Sequence, residues 1–366
     1  MLPALEGVLD GRQPPMLPVP GADPRQSEML TTALRVGDDI DDDIALVVPT
    51  SGTTGTPKGA MLSTRALIAS ASATHDRLGG TGTWLLALPT YHIAGLQVLV
   101  RSALAGTVPA ELDVSDGFDT AGLPDAVAAM GSGRRYASLV AAQLASALAD
   151  PAAAAALADL DAVLLGGGPA PAPVLEEAAA QGISVVRTYG MSETAGGCVY
   201  DGVPLDGMDV RIGEDGRIAL GGTTVANGYR NPQDPDPFAE PGWFVTDDVG
   251  ALDDSGVLRV LGRIDDAIST GGLTVLPQPV EAALATHPAV ADCAVFGVAD
   301  DRLGQRVAAA LVLRTGAEPP TVHELRDHVE ATLARTAAPR ELHIVDELPR
   351  RGIGKVDRRA LIARFG

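Results

Sequence analysis

The sequence has few aromatic residues, few basic residues and little cysteine, and each shortage excludes a class of protein. Phe, Trp and Tyr make up 3% of the 366 residues, which leaves few rings for stacking on nucleic acid bases. Lys and Arg number 27 against 47 Asp and Glu, so the formal net charge is −20. Because nucleic acid phosphates and anionic lipids repel such a chain, we expect no nucleic acid partner and no membrane partner.

Long apolar runs and a disulfide pattern are also absent. No run approaches the roughly 18–20 residues of a membrane span. The N-terminal stretch MLPALEGVLDG lacks the basic region and apolar core of a signal peptide, so we expect a cytoplasmic protein. The two cysteines, Cys198 and Cys293, are interpreted as small buried hydrophobes rather than nucleophiles. The length and the 46% hydrophobic content predict a globular chain of two to three domains.

Apolar runs alternate with helical patterns in the first half of the chain. Residues 1–43, rich in Pro, Gly and Asp, are interpreted as a solvated connector, with a metal site in the run GDDIDDD as the alternative. Beyond them we predict buried strands at 45–50, 83–89, 161–168 and 183–190, a helix in LSTRALIASASATHDRL capped by Ser63, and a helix at 92–106. This alternation is typical of an α/β fold with mainly parallel strands.

The pattern changes after residue 200. The turns GEDG and DDSG separate short strands and predict a small antiparallel β region. From about Asp265 helices and strands mix again, with helices in QPVEAALATHP and TVHELRDHVEATLART and strands in ADCAVFGVAD and RVAAALVLR. We place a boundary near residues 263–266. It divides a large N-terminal domain, 1–264, from a small mobile α+β domain, 265–366.

The segment TSGTTGTPKG, Thr50 to Gly59, is the sharpest chemical signal in the sequence. Its glycines let backbone N–H groups approach and cradle an anion, and Lys58 adds a positive charge. A glycine-rich surface turn is the alternative. A Walker-type loop needs G-x-x-x-x-G-K-[ST], but Lys58 follows Pro57 and precedes Gly59, so the spacing excludes a P-loop kinase or GTPase.

The loop resembles the phosphate-binding signature of the adenylate-forming enzymes, the superfamily of acyl-CoA synthetases, luciferases and peptide-synthetase adenylation domains. Further segments follow in that family's order: YGMSETAGG at 189–197, WFVTDDVG at 243–250, GRIDDAISTGG at 262–272 and RRGIGKVDR at 350–358. The resemblance extends from about residue 45 to the C-terminus. Within the superfamily, residues 164–197 resemble the o-succinylbenzoate–CoA ligases of menaquinone biosynthesis, most closely in the run GGGPAP.

The resemblance implies an ATP- and Mg²⁺-dependent acid–CoA ligase. A carboxylate would attack the α-phosphorus of ATP and release pyrophosphate, and the acyl-adenylate would then pass to the thiol of coenzyme A and release AMP. The expected acid is o-succinylbenzoate. The alternatives are another aromatic or medium-chain acyl-CoA ligase, an enzyme that loads a carrier protein, and, from a different class, a non-catalytic adenylate-binding protein.

The resemblance also implies roles for particular residues. The catalytic positions are Lys58, Glu193 and Lys355; Glu193 would hold Mg²⁺, and Lys355 would neutralise charge at the α-phosphate. Tyr189 would stack on adenine, and Asp248 would accept hydrogen bonds from the ribose. The expected ATP-binding residues are Thr50, Ser51, Gly52, Thr53, Thr54, Gly55, Thr56, Lys58, Gly167, Gly168, Pro169, Tyr189, Gly190, Met191, Ser192, Asp248 and Arg263.

Each of these roles has a structural alternative. Glu193 could be a capping residue after Ser192, and Tyr189 could be a core aromatic. Asp248 and Arg263 could form an ordinary surface ion pair, and Lys355 could belong to a charged flexible tail.

The acyl pocket and the C-terminal domain carry the remaining expectations. His92, Arg101 and Gly166 are the expected substrate-binding residues; for His92, simple packing is the alternative. Arg101 is the one cation in an apolar helix, so its side chain either reaches the surface or pairs with a second carboxylate of the acid.

Asp265 matches the family's hinge position. The resemblance places Gly271 and Gly272 on the pantetheine channel of coenzyme A.

The sequence departs from the family's pattern in three places. Asp247 stands where the family has Gly, and its charge beside the ribose site is predicted to weaken ATP binding. Ser192 stands where Thr is commoner. The phosphate loop begins at Thr50, much earlier than usual in the family. We therefore expect part of the N-terminal subdomain to be lacking, and a homodimer that covers the exposed surface is one hypothesis.

Overall fold

The computed structural model describes residues 1–50, 56–351 and 355–366, and gives Arg351 and Lys355 by their backbone. The N-terminal region contains two helices and a two-stranded antiparallel sheet: α1 (Leu2–Leu9), α2 (Pro24–Ala33), β1 (Ile44–Val48) and β2 (Ala60–Ser63). For residues 1–43 the prediction of a solvated connector is wrong. Leu5 and Leu30 are buried, and the Asp23 side chain caps α2 by accepting from the Gln26 N–H.

A seven-stranded sheet forms the centre of the molecule. Its strand order is β4-β3-β5-β6-β7-β8-β9; the pairs from β4 to β7 are parallel, and the last two pairs are antiparallel. The strands are β3 (Thr83–Leu86), β4 (Ala110–Glu111), β5 (Arg135–Val140), β6 (Ala162–Gly166), β7 (Val185–Met191), β8 (Gly196–Tyr200) and β9 (Val203–Pro204). The predicted strands at 83–89, 161–168 and 183–190 are confirmed in this sheet.

Helices cover both faces of this sheet. They are α3 (Thr64–Leu78), α4 (Ile93–Ala105), α5 (Leu123–Ala129), α6 (Ala141–Leu148), α7 (Pro151–Ala158) and α8 (Ala172–Ala180). Alternate strand residues face different cores, since Leu164 packs in one cluster and Val163 and Leu165 in the other. The predicted cap is confirmed, because the Ser63 side chain accepts from the Ala66 N–H.

A four-stranded antiparallel sheet follows, in the order β10-β11-β12-β13. Its strands are β10 (Met208–Ile212), β11 (Arg217–Gly222), β12 (Trp243–Leu252) and β13 (Leu258–Arg263). The two predicted hairpins are confirmed. This sheet ends at Arg263, beside the boundary that the sequence suggests.

The C-terminal region from residue 268 has a mixed sheet and its own buried clusters. Its elements are β14 (Ile268–Thr270), β15 (Leu273–Val275), α9 (Pro277–Ala285), β16 (Val290–Asp300), β17 (Gly304–Leu313), α10 (Val322–Glu330), β18 (Glu341–Ile344), β19 (Arg350–Arg351), β20 (Lys355–Val356) and α11 (Arg358–Phe365). Two clusters of buried apolar residues draw all their members from this region. The predicted α/β class, with an antiparallel β region and a following α+β region, is confirmed.

In the described part of the chain, no single helix is long and apolar enough to cross a membrane. One sharply bent pair, Ala141–Leu148 with Pro151–Ala158, has the required length and composition together. Both cysteines are buried and unpaired, as predicted.

Candidate active site

The two ends of the phosphate loop lie side by side. β1 and β2 pair antiparallel, with Val48 opposite Ala60, and the Lys58 N–H donates to the Thr50 carbonyl at 3.3 Å. The loop therefore connects two strands, and the predicted helix α3 begins at Thr64, after β2. Five of the predicted ATP-binding residues, Ser51, Gly52, Thr53, Thr54 and Gly55, lie outside the described residues.

Gly59 lies between Lys58 and β2 and has a backbone conformation that favours glycine. Its φ is +70°, and a Cβ there would lie 2.6 Å from Leu34 Cδ2 and 2.9 Å from Val47 Cγ1. A larger residue would be both strained and crowded, so the site requires glycine at this position.

Residues 227–231 form a segment that runs antiparallel to residues 58–61 and brings Tyr229 into the site. Tyr229 pairs with Ala60 as an isolated bridge, and the N–H groups of Arg230 and Asn231 donate to the carbonyls of Gly59 and Lys58. The Lys58 ammonium lies 5.1 Å from the centre of the Tyr229 ring. The sequence analysis missed Tyr229, although a tyrosine beside glycine in a chain so poor in aromatics is a usable signal.

Glu193 lies on a short 3₁₀ turn, Ser192–Thr194, directly after β7. Its side chain is buried, and its Oε1 accepts a hydrogen bond from the Tyr229 hydroxyl at 2.6 Å. In the same turn, the Thr194 hydroxyl accepts from the Met191 N–H and donates to the Gly196 carbonyl. Two helices also anchor the end of this turn, because the Ser70 hydroxyl of α3 and Gln97 Nε2 of α4 donate to the Ala195 carbonyl.

A group of acidic and basic side chains surrounds Asp248 on β12. The Tyr189 hydroxyl donates to Asp248 Oδ2 at 2.7 Å, and Arg263 Nη1 lies 3.5 Å from Asp248 Oδ1. An ionised carboxylate can accept about four hydrogen bonds. Burial, then the Asp248 charge, raises the pKa of Tyr189, which keeps its hydroxyl a donor.

Arg263 joins three carboxylates. It bonds Asp265 at 2.8 Å and Asp247 at 3.2 Å in addition to Asp248. Burial lowers the pKa of Arg263, but the hydrogen bond and charge of Asp265, with the other two carboxylates, raise it overall. The unexpected Asp247 is therefore an ion-pair partner of Arg263, and the predicted hinge residue Asp265 is another.

The glycines in and around the turn after β6 differ in the space that surrounds them. A Cβ on Gly166 would lie 2.6 Å from the Thr188 hydroxyl, and one on Gly190 would lie 2.1 Å from the Gly196 carbonyl oxygen. Gly167 has a φ of +82°, and a Cβ on Gly168 would meet no atom within 4 Å. Gly168 and the neighbouring Pro169 are exposed, and the half-buried Tyr189 lies on the adjacent strand β7.

His92 is the residue directly before α4, at the carboxyl end of the parallel strands, where its ring lies 4.6 Å from that of Tyr91. Arg101 lies about two and a half turns farther along α4, over the Trp84 ring at 4.7 Å, near the opposite end of the strands. The two predicted substrate residues are therefore not brought together.

Arg101 is 3% exposed, so the expected route of its side chain to the surface is wrong, whereas its pairing with a substrate carboxylate stays a prediction. Arg101 lies on the buried face of α4, against Trp84 of β3, so both the apolar stem of its side chain and its charge are buried. Its Nη2 lies 3.4 Å from the Tyr200 hydroxyl, and no ion pair with a carboxylate is found for it among the described residues. Burial lowers the pKa of Arg101.

The C-terminal positions lie on turns. Gly271 and Gly272 have φ values of +59° and +79° between β14 and β15, where a positive φ favours glycine. Lys355 is paired with Arg351 in the hairpin β19–β20, and its side chain lies outside the described part of the structure. Arg358, at the start of α11, binds Glu281 at 2.6 Å and Asp266 at 2.9 Å, which holds the end of the chain near the predicted boundary.

Comparison with known proteins agrees with this geometry. A family model described as AMP-binding enzyme matches residues 18–230, and one described as AMP-binding enzyme C-terminal domain matches residues 279–355. The chain belongs to the family of AMP-binding enzymes.

The relatives carry more particular names. A probable 2-succinylbenzoate–CoA ligase of Mycobacterium tuberculosis is 71% identical over 367 residues, which cover 100% of this chain and 95% of that protein. A solved structure of o-succinylbenzoate CoA synthetase from Bacillus subtilis with its acyl-adenylate intermediate has a TM-score of 0.75 and 33% identity, in a match that covers 87% of this chain and 69% of that one. The same enzyme with ATP and magnesium has a TM-score of 0.75 and 32% identity, over 88% and 72% of the two chains.

Proposed function

We propose that this chain is an ATP- and Mg²⁺-dependent acid–CoA ligase whose acid is o-succinylbenzoate. One observation supports this most directly: Lys58, Tyr229 and Glu193 form one connected group at the end of the phosphate loop. Its relatives are named for this activity. We also propose the division into residues 1–264 and 265–366, because the clusters beyond residue 268 are separate.

In the proposed reaction, a carboxylate oxygen of the acid attacks the α-phosphorus of ATP, and the bond to the β-phosphate oxygen breaks. Lys58 would balance negative charge on the phosphates. Asp248 would hold the ribose hydroxyls, and the hydrogen bond from the Tyr189 hydroxyl would orient the Asp248 carboxylate. The space beside Gly168 and Tyr189 suits the adenine ring. Lys355 is proposed to approach the α-phosphate.

Magnesium, when bound, neutralises charge on the phosphate oxygens. Mg²⁺ is usually held by one or two carboxylates together with substrate phosphates rather than by a cage of protein ligands. The described residues contain no group of three or more metal-ligating side chains, and the single buried carboxylate of Glu193 fits this arrangement. Glu193 would therefore be the protein ligand.

In the second step, the sulfur of coenzyme A attacks the acyl carbon, the bond to AMP breaks, and the thiol proton passes to solvent. The C-terminal domain is proposed to rotate about Asp265 between the steps and to present Gly271 and Gly272 to the pantetheine arm. In the structure, the Asp265 carboxylate is bound to Arg263, so this ion pair would have to adjust during the rotation.

The test is mass spectrometry of the products after incubation with ATP, Mg²⁺ and coenzyme A. One sample contains o-succinylbenzoate, and others contain benzoates and fatty acids. We expect a succinylbenzoyl-CoA thioester with AMP in the first sample only. AMP with a different acid would overturn the substrate, and transfer only to a phosphopantetheinyl protein would overturn the acceptor.

If no acid gives AMP, the ligase proposal fails and a non-catalytic adenylate-binding protein replaces it. The cytoplasmic location and the homodimer remain predictions. Sedimentation at micromolar concentration tests the homodimer, and a monomer there would contradict it.

A further inference from the structure

We propose that Tyr229 is a positioning residue that couples Lys58 to Glu193; this rests on the proposed function, which assigns those two residues to phosphate and Mg²⁺. The ring of Tyr229 contacts one of them and its hydroxyl contacts the other. Lys58 Nζ lies 5.1 Å from the ring centre, and the hydroxyl donates to Glu193 Oε1 at 2.6 Å. A single side chain thus contacts one cation and one anion of the site.

The backbone around Tyr229 leaves its side chain little freedom. Ala226 N–H donates to the Glu193 carbonyl at 2.9 Å, which fixes one end of the segment beside the Glu193 turn. At the other end, Asn231 Nδ2 donates to the carbonyls of Pro57 at 2.7 Å and Ala33 at 2.9 Å. Because residues 227–231 are tied at both ends, the position of Tyr229 is set by the same bonds that set Lys58.

Aromatic packing fixes the ring from the side. Tyr229 is 7% exposed and makes an edge-to-face contact with Phe238, with ring centres 5.1 Å apart. Phe238 in turn packs on Phe244 of β12 at 4.9 Å. Edge-to-face pairs of this kind stabilise one orientation of each ring.

The electronic effect of the two contacts is cooperative. A phenol that donates to a carboxylate gains negative charge on its ring, and a cation is attracted to the negative face of a ring. Glu193 therefore strengthens the attraction that holds Lys58, while the phenol separates a cation and an anion that would otherwise attract each other directly. Tyr229 thus holds Lys58 at its ring and Glu193 at its hydroxyl.

The first experiment measures binding, so it does not depend on turnover. Calorimetry gives the dissociation constant of ATP with Mg²⁺ and in EDTA, and the ratio of the two constants is the magnesium effect. For Tyr229→Phe we expect this effect to fall about tenfold, the size of a lost hydrogen bond to a charged group. Tyr136→Phe is the matched control, because the Tyr136 hydroxyl donates to the carbonyls of Leu78 and Gly80 in the core instead.

A double-mutant cycle separates coupling from general damage. If Tyr229 acts through Glu193, the variant Tyr229→Phe with Glu193→Gln has the same magnesium effect as Glu193→Gln alone. Additive losses, or an unchanged magnesium effect in Tyr229→Phe, would overturn the inference.

A second variant tests the contact with Lys58. Tyr229→Leu removes the ring as well as the hydroxyl, so we expect ATP in EDTA to bind about threefold more weakly than to Tyr229→Phe. Equal binding to both variants would remove Lys58 from the inference.

The two proposals fail in different ways. If the wild-type protein shows the magnesium effect and the expected cycle but forms no AMP with any acid, the ligase proposal fails and the role of Tyr229 stands. If AMP forms normally and the cycle is additive, only the role of Tyr229 fails. A wild-type protein that binds no ATP would overturn both.

Discussion

Two of the five tyrosines, Tyr189 and Tyr229, donate hydroxyl hydrogens to carboxylates of the candidate site. Burial, then the neighbouring carboxylate, raises the pKa of each phenol, so both keep their protons at neutral pH. A hydrogen bond to an ionised carboxylate is stronger than one between neutral groups, so each phenol holds its carboxylate in one orientation. At the scale of single residues, the few rings of the chain thus orient its acidic groups.

Arg101 supports a prediction about stability. Burying a charge without an ion-pair partner is costly, and an apolar residue of similar volume is often neutral or stabilising in its place. We expect Arg101→Met to keep the free energy of unfolding within about 1 kcal/mol of the wild-type value or to raise it, because Met retains most of the packing on Trp84.

Arg101→Ala leaves a cavity and is expected to lower the free energy of unfolding by about 2–5 kcal/mol. Denaturant unfolding of both variants gives these values, and the KM for the acid is the control. A selective rise of that KM in Arg101→Met would contradict the buried placement.

His75 supports a prediction about pH. Burial, then the charge of Arg101, lowers the pKa of His75 from 6.5 to about 4, and its Nε2 lies 3.4 Å from the Trp84 N–H. Because folding favours the neutral ring, its contribution to stability is complete above about pH 6.5 and is lost as the pH falls toward 4.

Thermal unfolding between pH 4 and 7.5 tests this contribution. We expect His75→Asn to show a smaller fall of the unfolding temperature over that window than the wild-type protein. Parallel curves for the two proteins would show that His75 does not titrate in this way.

At the scale of elements, the pairing of β12 with β13 brings together the charged residues of the proposed ribose site. Asp248 lies opposite Arg263 in the ladder, and the Ile264 N–H donates to the Asp247 carbonyl at 2.8 Å. This hydrogen bond therefore fixes the backbone directly after β13 to strand β12. A charge introduced at residue 247 acts on this junction as well as on the nucleotide.

Asp247→Gly restores the residue that the family usually has and supports a prediction about ATP. It removes a negative charge beside the proposed ribose site and releases part of Arg263, so both effects favour ATP binding. Since the pair is exposed, we expect the KM for ATP to fall only about two- to fivefold, and less at high salt. Steady-state kinetics at two ionic strengths measure this, with Asp247→Asn as the uncharged variant of similar shape. A higher KM would show that Asp247 helps to bind ATP.

Local patterns predicted the elements but not their contacts across the chain. Ser63 and the apolar period that follows it predict α3, and the turns GEDG and DDSG predict the hairpins, because each signal depends on neighbours in sequence. The helix α2 was missed because its short apolar face is buried by β1, which only the tertiary structure supplies.

The candidate site shows the same limit. The motifs located Glu193, Asp248 and Arg263, because family resemblance assigns positions. They did not reveal that Tyr229 joins Glu193 to Lys58, or that Arg101 is buried, because both depend on segments far apart in sequence.

At the scale of the whole molecule, the proposed two domains predict two separate unfolding steps. Leu311 lies in the buried cluster of the C-terminal sheet, and Leu164 lies in a core of the large sheet. We expect Leu311→Ala to lower the midpoint temperature of one calorimetric transition and Leu164→Ala to lower that of the other. Each substitution is expected to reduce the free energy of unfolding of its own domain by about 2–5 kcal/mol. A single transition that both substitutions shift equally would contradict the division at residue 264.

The guanidinium of Arg230 donates to four carbonyls at the end of α2, those of Leu34, Arg35, Asp38 and Asp39. One residue away, Tyr229 contacts Lys58. The stretch before β1 therefore ties down the segment that carries Tyr229. A version of the chain trimmed to begin at β1 would remove all four acceptors, and the segment that positions Tyr229 against Lys58 would lose one of its anchors.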